Sequence, residues 1–270
     1  MPRPDPVDGA PPAPPGLPAA PGGPVPVPGL DFDPRAEPGG WAGLPTALAR
    51  LSLDVPVGAA VACSVPGGYP AAAPPLAELV AGAGLAVERA GRACGQQVVG
   101  ARRQRTLPDF VGPGMRMLVC GLNPSLIAAD AGFGYAGPTN RFWTAAVASG
   151  VVTVPRRPLA GLAVDLFGMT DLVKRATPNA DGLVPEEYRA GADRVRRLVE
   201  WLRPGVVLFV GLAGWRAAVD RRAIAGPQPA PFGGAPAYVM PSSSGRNART
   251  TPAELADHFR RAFALAEPDR

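Results

Sequence analysis

The sequence predicts an α/β protein: a three-layer sandwich with a short, mostly parallel central sheet flanked by helices, preceded by a Pro/Gly/Ala-rich extension. Three observations carry this. From about residue 105 short apolar runs alternate with helix-period segments, the pattern of a parallel sheet covered on both faces. Val206 to Val210 is unbroken Val, Leu and Phe, as in a strand buried on both sides. Fourteen of the 36 prolines fall in residues 1–40, which show no apolar period and so cannot bury enough surface to offset their ordering entropy. The expected division is 1–45 as a disordered, Pro-rich extension, 46–104 as a poorly defined accessory segment and basic linker, and 105–268 as the main domain.

In chain order, Leu76 to Gly84 reads as a short helix ended by glycine, and Leu85 to Glu88 as a strand. Arg89, Arg92, Arg102, Arg103 and Arg105 form a basic run, expected as a solvated linker rather than a phosphate contact. Arg116 to Leu122 is strand-like, Asn140 to Gly150 helical, and Phe167 to Val173 extended. Pro185 to Leu202 is an amphipathic helix with proline near its start, stopping before Pro204. After the 206–210 strand come a helix from Leu212 to Arg222, a strand from Ala237 to Met240, and a last helix from Pro252 to Leu265. Thr251-Pro252-Ala253-Glu254 fits a capping box at the entrance of that helix.

Composition excludes several chemistries. Three cysteines without a CxxC or a Cys/His cluster offer neither a disulfide framework nor an iron–sulfur or other metal site. The single histidine, His258, sits beside the apolar stripe Leu255, Phe259, Phe263 and reads as structural or solvent-facing, which disfavours a serine triad or histidine acid–base chemistry. No GxGxxG opens a helix after a strand, so a generic Rossmann-type nucleotide binder is disfavoured. No cofactor is expected. The start of the chain lacks the pattern of a signal peptide, and the apolar stretch from Gly205 to Trp215 is shorter than the roughly 20 residues a bilayer requires. A cytoplasmic monomer that does not engage a membrane is expected. Charge is uneven: residues 1–110 carry 8 Lys/Arg against 9 Asp/Glu, whereas 111–270 carry 19 against 13. A basic C-terminal portion suits a polyanionic partner.

In a sheet of this kind ligands gather at the carboxyl ends of the strands. Two unusual loops leave strands there. Gly121-Leu122-Asn123-Pro124-Ser125 offers an amide side chain and accessible backbone, and its continuation, Gly132 to Pro138, supplies Tyr135 among small residues. An aromatic platform with backbone donors and acceptors suits a flat heterocycle, although a tight turn and a core aromatic explain the same residues singly. Met240-Pro241-Ser242-Ser243-Ser244-Gly245-Arg246-Asn247 presents three hydroxyls and a protruding arginine, suited to phosphate oxygens and to a gap in a base stack.

The ordered set Gly121 to Ser125, Tyr135 to Trp143, Gly168 to Val173 and Met240 to Ser244 resembles the mismatch-specific uracil/thymine-DNA glycosylases of the uracil-DNA glycosylase superfamily, over about residues 105–266. The resemblance implies a monofunctional DNA glycosylase in base excision repair, acting on double-stranded DNA with a mismatched or damaged base and associated with the nucleoid through that DNA. It implies that Asn123 holds the attacking water, and that backbone near Leu122 and Tyr135 binds the extruded pyrimidine, with the Tyr135 ring stacked on it. Asn140 matches a pocket asparagine, and Ala128 a small residue facing the 5-substituent of the base. Ser242, Ser243 and Ser244 match phosphate contacts, with Gly245 beside them, and Arg246 matches the inserted arginine of the thymine-acting branch. Phe142 and Trp143 are expected to pack the following helix. Gly134 departs from the histidine or proline common before the stacking ring. The only lysine, Lys174, is not placed for Schiff-base lyase chemistry. Excision of another base (a 5-substituted uracil, an etheno adduct or a deaminated purine) and non-catalytic lesion binding are the alternatives.

Overall fold

The structure, a computed structural model, describes residues 27–179 and 182–266. Most of the expected Pro-rich extension, residues 1–26, lies outside them. The expectation of disorder through residue 45 does not hold for the described part. Strand β1 (Gly29–Asp31), a 3-10 turn (Gly40–Gly43) and helix α1 (Leu44–Asp54) form there. Phe32, Leu44 and Leu48 anchor them, each no more than 2% exposed. These few apolar anchors are widely spaced among prolines and glycines, so no periodicity announces them.

The accessory segment is likewise structured. Strand β2 (Ala60–Val65), helix α2 (Leu76–Gly82), strand β3 (Leu85–Ala93) and strand β4 (Gln96–Arg103) complete a four-stranded sheet in the order β1-β2-β4-β3. β3 runs past the expected Glu88 because it is an edge strand whose residues after Leu85 are exposed, leaving no buried alternation to read. The basic run is carried largely by β3 and β4 rather than by a linker; Arg89, Arg92, Arg102 and Arg105 are exposed, as expected, but Arg103 is not. Arg103 is buried, with Nε donating to the Ser52 carbonyl (2.7 Å) and Nη2 to that of Thr106 (2.9 Å). Arg102 pairs with Glu88 and Arg105 with Asp130, each at 2.6 Å.

Strand β5 (Met117–Gly121), helices α3 (Leu126–Ala131), α4 (Phe142–Ala148) and α5 (Pro158–Val164), and strand β6 (Phe167–Asp171) open the main domain. Helix α6 (Pro185–Leu202), strand β7 (Val206–Val210), helix α7 (Leu212–Ala218), strands β8 (Gly226–Pro227) and β9 (Ala237–Met240), and helix α8 (Pro252–Ala264) complete it. Helix α7 ends earlier than the expected Arg222, since Asp220 Oδ1 accepts from the Arg222 N–H (2.9 Å) and closes a turn. The sheet order is β6-β5-β7-β9-β8, parallel except for the β8–β9 pair.

Alternation along these strands divides the core. Leu118, Cys120, Val207, Phe209 and Val239 face α6 and the N-terminal unit. Met117, Val119, Leu208, Tyr238 and Met240 face α4 and α8. Strands buried on both faces between two helical layers make the expected three-layer sandwich. The N-terminal sheet adds to one face of it, pinned by a hydrogen bond from Thr46 Oγ1 to the Val111 carbonyl (2.8 Å) and by the Glu78–Arg197 pair (2.5 Å). No helix among the described residues is long and apolar enough to cross a membrane.

Candidate active site

Four parallel strands end on one side of the sheet, and a cleft of about 460 Å³ opens there. Leu122 and Asn123 reach it from β5, Asp171 from β6, Val210 from β7, and Ser242 to Arg246 from the loop after β9. Tyr135, Ala128 and Asn140 line it as well, so all ten residues singled out from the sequence surround one cavity.

Asn123 is held in a defined orientation. Its Nδ2 donates to the Arg175 carbonyl (3.0 Å) and to Thr177 Oγ1 (2.7 Å). A carbonyl can only accept, so the nitrogen must occupy that end of the amide, and Oδ1 is left to accept from a bound molecule. Thr177 Oγ1 in turn donates to the Asn179 carbonyl (2.5 Å), which fixes the hydroxyl as an acceptor toward Asn123. The strap 175–179, tied to the first loop by Thr177 N–H donating to the Pro124 carbonyl (3.1 Å), contributes Thr177, Pro178 and Asn179 to the wall of the cleft. Sequence reasoning gave it no part.

Tyr135 lies on Phe142, with ring centroids 3.8 Å apart and planes 8° from parallel. Tyr135 also lines the cleft. Its φ is +59°, a left-handed conformation that tyrosine adopts only under local compulsion. One source of that compulsion is Trp143, whose Nε1 donates to the Gly134 carbonyl (2.9 Å). Phe142 and Trp143 are buried, as expected, and they also set this platform. The Tyr135 hydroxyl is buried without a hydrogen-bond partner. A Cβ at Gly134 would stand 3.3 Å from Met169 Cε, so a side chain here would press on that methionine.

Asp171 is the principal functional candidate that sequence reasoning passed over. It lies within the 168–173 segment, which the sequence marks only as extended, although an acid at a strand's carboxyl end is itself a signal in this fold. Burial raises its carboxyl to about 6; Asp109 adds to the rise while Lys174 and Arg194 oppose it. Gly121 makes room for it, because a Cβ there would stand 2.3 Å from Asp171 Oδ1 and 2.9 Å from the Tyr135 hydroxyl. Behind β6, Asp109 accepts from Thr170 Oγ1 (2.6 Å) and Lys174 Nζ (2.9 Å) and pairs with Arg194. Burial alone would raise the Asp109 carboxyl, but Arg194 and Lys174 outweigh it and hold it below its ordinary value. Lys174 is thus committed to an ion pair and does not line the cleft.

The remaining expected residues differ in what they have free. The Leu122 carbonyl accepts from the Val173 N–H (2.9 Å), and its side chain packs at Gly214 of α7. Asn140 Oδ1 accepts from the Phe142 N–H (3.0 Å) at the start of α4, which leaves its Nδ2 for a ligand. Ala128 is buried in the first turn of α3, its N–H donating to the Ser125 cap (3.1 Å). Ser242 and Ser244 are half-buried and Arg246 is exposed at the rim. Ser243 corrects the expectation of three phosphate contacts: it is 1% exposed, and its carbonyl accepts from the Arg141 N–H (3.0 Å). It belongs to the foundation of the loop. His258 is elsewhere, its Nδ1 2.7 Å from the Tyr238 hydroxyl.

Such a site can stack a flat ring on Tyr135, address its edge with Asp171, and hold a water at Asn123 Oδ1. Residues 108–266, more than half of the chain, match the family model of the uracil DNA glycosylase superfamily, and the chain belongs to that superfamily. Its members act on DNA, hydrolysing N-glycosyl bonds.

Proposed function

We propose that this member of the uracil DNA glycosylase superfamily excises uracil, and also thymine, from G·U and G·T mismatches as a monofunctional hydrolase. The nucleotide is extruded into the cleft, its pyrimidine stacking on Tyr135 while Arg246 enters the space it leaves. Extrusion costs a few kcal/mol, and less for a mispaired base, which favours mismatches. Cleavage proceeds through an oxocarbenium-like sugar with the base departing as an anion, so the protein must stabilise that anion and place a water.

The observation that carries this reading is the locked amide of Asn123, with Nδ2 held by the Arg175 carbonyl and Thr177. A neutral amide orients water but is a poor base, so general-base help of about 10²–10⁴-fold is largely forgone. Slow turnover follows. Asp171 faces the base edge; protonated, it donates to a carbonyl oxygen of the departing anion, and ionised, it repels that anion. Ala128, a small residue in the cleft lining, suits a base with a 5-methyl group. The commitment of Lys174 to Asp109 supports hydrolysis without a Schiff base.

The test is alkaline cleavage of labelled duplexes carrying G·U, A·U or G·T, with single-stranded uracil beside them. Abasic product from G·U ahead of A·U is expected. Tight G·U binding with no abasic product from any substrate would replace the glycosylase with a lesion binder, and preference for another base would redirect the specificity.

A further inference from the structure

The loop from Ser242 to Thr250 has no regular secondary structure, so its carbonyls are not satisfied by a helix or sheet ladder. One residue donates to four of them. The Arg141 N–H donates to Ser243 (3.0 Å), Nη2 to Ser244 (3.1 Å) and to Asn247, and Nη1 to Thr250. Asn247 Nδ2 closes the loop on itself at the Ser242 carbonyl (2.8 Å). The loop also abuts the segment that carries Arg141, since a Cβ on Gly245 would stand 2.6 Å from Thr139 Oγ1. The next residue along the chain is Phe142, on which Tyr135 stacks. Residues 139–142 therefore underlie both the base platform and the loop bearing Arg246, while Arg141 itself does not line the cleft.

We propose that Arg141 is a positioning residue that holds the Ser242–Thr250 loop, and with it Arg246, in register with the Tyr135 platform. This rests on the glycosylase reading. Extrusion of a base from a duplex depends on the register; hydrolysis at Asn123 does not. The planar guanidinium spreads several donors over separate carbonyls at once, which a lysine ammonium at the same place does not reproduce.

The experiment uses the full chain with Arg141→Gln, Arg141→Lys, Arg246→Ala and the Arg141→Gln/Arg246→Ala double variant. Hydrogen exchange of the amides of residues 242–250 and single-turnover excision from a G·U duplex are measured. Both Arg141 variants are expected to speed exchange in that loop while the β5 and β7 amides keep their protection. Each is expected to lose on the order of tenfold in duplex excision, about 1.4 kcal/mol of barrier. If Arg141 acts through Arg246, the double variant loses no more than the worse single one. Fully additive losses, unchanged loop exchange, or full recovery with lysine overturns the proposal; lysine, which keeps charge and length, is the variant to rely on if glutamine impairs folding. A wild-type protein that excises no base refutes the glycosylase reading instead, and the exchange data still decide whether Arg141 orders the loop.

Discussion

Asp171→Asn isolates the energetic burden of placing an acid at the floor of the cleft. The carboxyl is raised from its ordinary 3.8 to about 6, chiefly by burial. A folded-state value above the unfolded one means that folding prefers the protonated acid. Below the unfolded value both states are protonated and there is no penalty. The penalty grows as pH rises through the interval between the two values and is complete above the folded value. About two pKa units correspond to roughly 3 kcal/mol at pH 8, and roughly 1 kcal/mol at pH 4.5. Asparagine has nearly the same shape and never ionises. The variant should therefore be more stable than wild type by about 3 kcal/mol at pH 8, with the advantage shrinking by about 2 kcal/mol at pH 4.5. Urea unfolding followed by tryptophan fluorescence at the two pH values measures it. His258 also titrates, but it is common to both proteins and cancels in the difference; Asp109, which interacts with Asp171, is held below its ordinary value and stays ionised in both folded proteins over this range. An advantage independent of pH, or one that grows toward acid, would show that Asp171 is not a carboxyl held at a cost by burial.

The same group predicts a pH–rate profile. Excision of uracil falls as pH rises through about 6, where Asp171 loses its proton, and the asparagine variant flattens that limb; a flat wild-type profile would remove Asp171 from stabilisation of the leaving base. Tyr135→Phe keeps excision and is neutral to slightly stabilising, by up to about 1 kcal/mol, because the hydroxyl is buried without a partner. Tyr135→Ala removes stacking worth about 1–3 kcal/mol per base. If Tyr135→Phe were as damaging as Tyr135→Ala in the excision assay, the ring would not be the working part. Thr177→Val deletes an acceptor of Asn123 Nδ2 and is expected to slow single-turnover excision by about tenfold or more while duplex affinity holds. Unchanged excision would mean that the Arg175 and Pro124 carbonyls suffice to orient the amide.

What was legible in the sequence follows what local patterning encodes. Val206 to Val210 announced its strand because burial on both faces leaves an unbroken apolar run. Asn123 and the Ser242–Arg246 loop announced the cleft because they leave parallel strands at their carboxyl ends. The N-terminal sheet was illegible because its few anchors, Phe32 and Leu44 among them, are separated by proline and glycine, and because β3 is exposed along nearly its whole length. Arg103 read as part of a solvated basic run, since a guanidinium buried against carbonyls looks no different in sequence from one in water. Ser243 could not be told from its neighbours, because which of three serines turns inward is decided by how the loop packs in space and not by its local sequence. Thr177 acquires its role only when the 175–179 strap meets the first loop in space, whereas Asp171 was open to reading from its place at the end of β6.

The central claim is that a neutral amide places the water, and Asn123→Ala tests it most directly. Abasic-site formation from a G·U duplex under single-turnover conditions, with duplex affinity measured in parallel, is the required comparison. The rate should fall roughly 100-fold or more while affinity changes little, as when a reacting group loses its positioning. Full activity in Asn123→Ala would contradict the account.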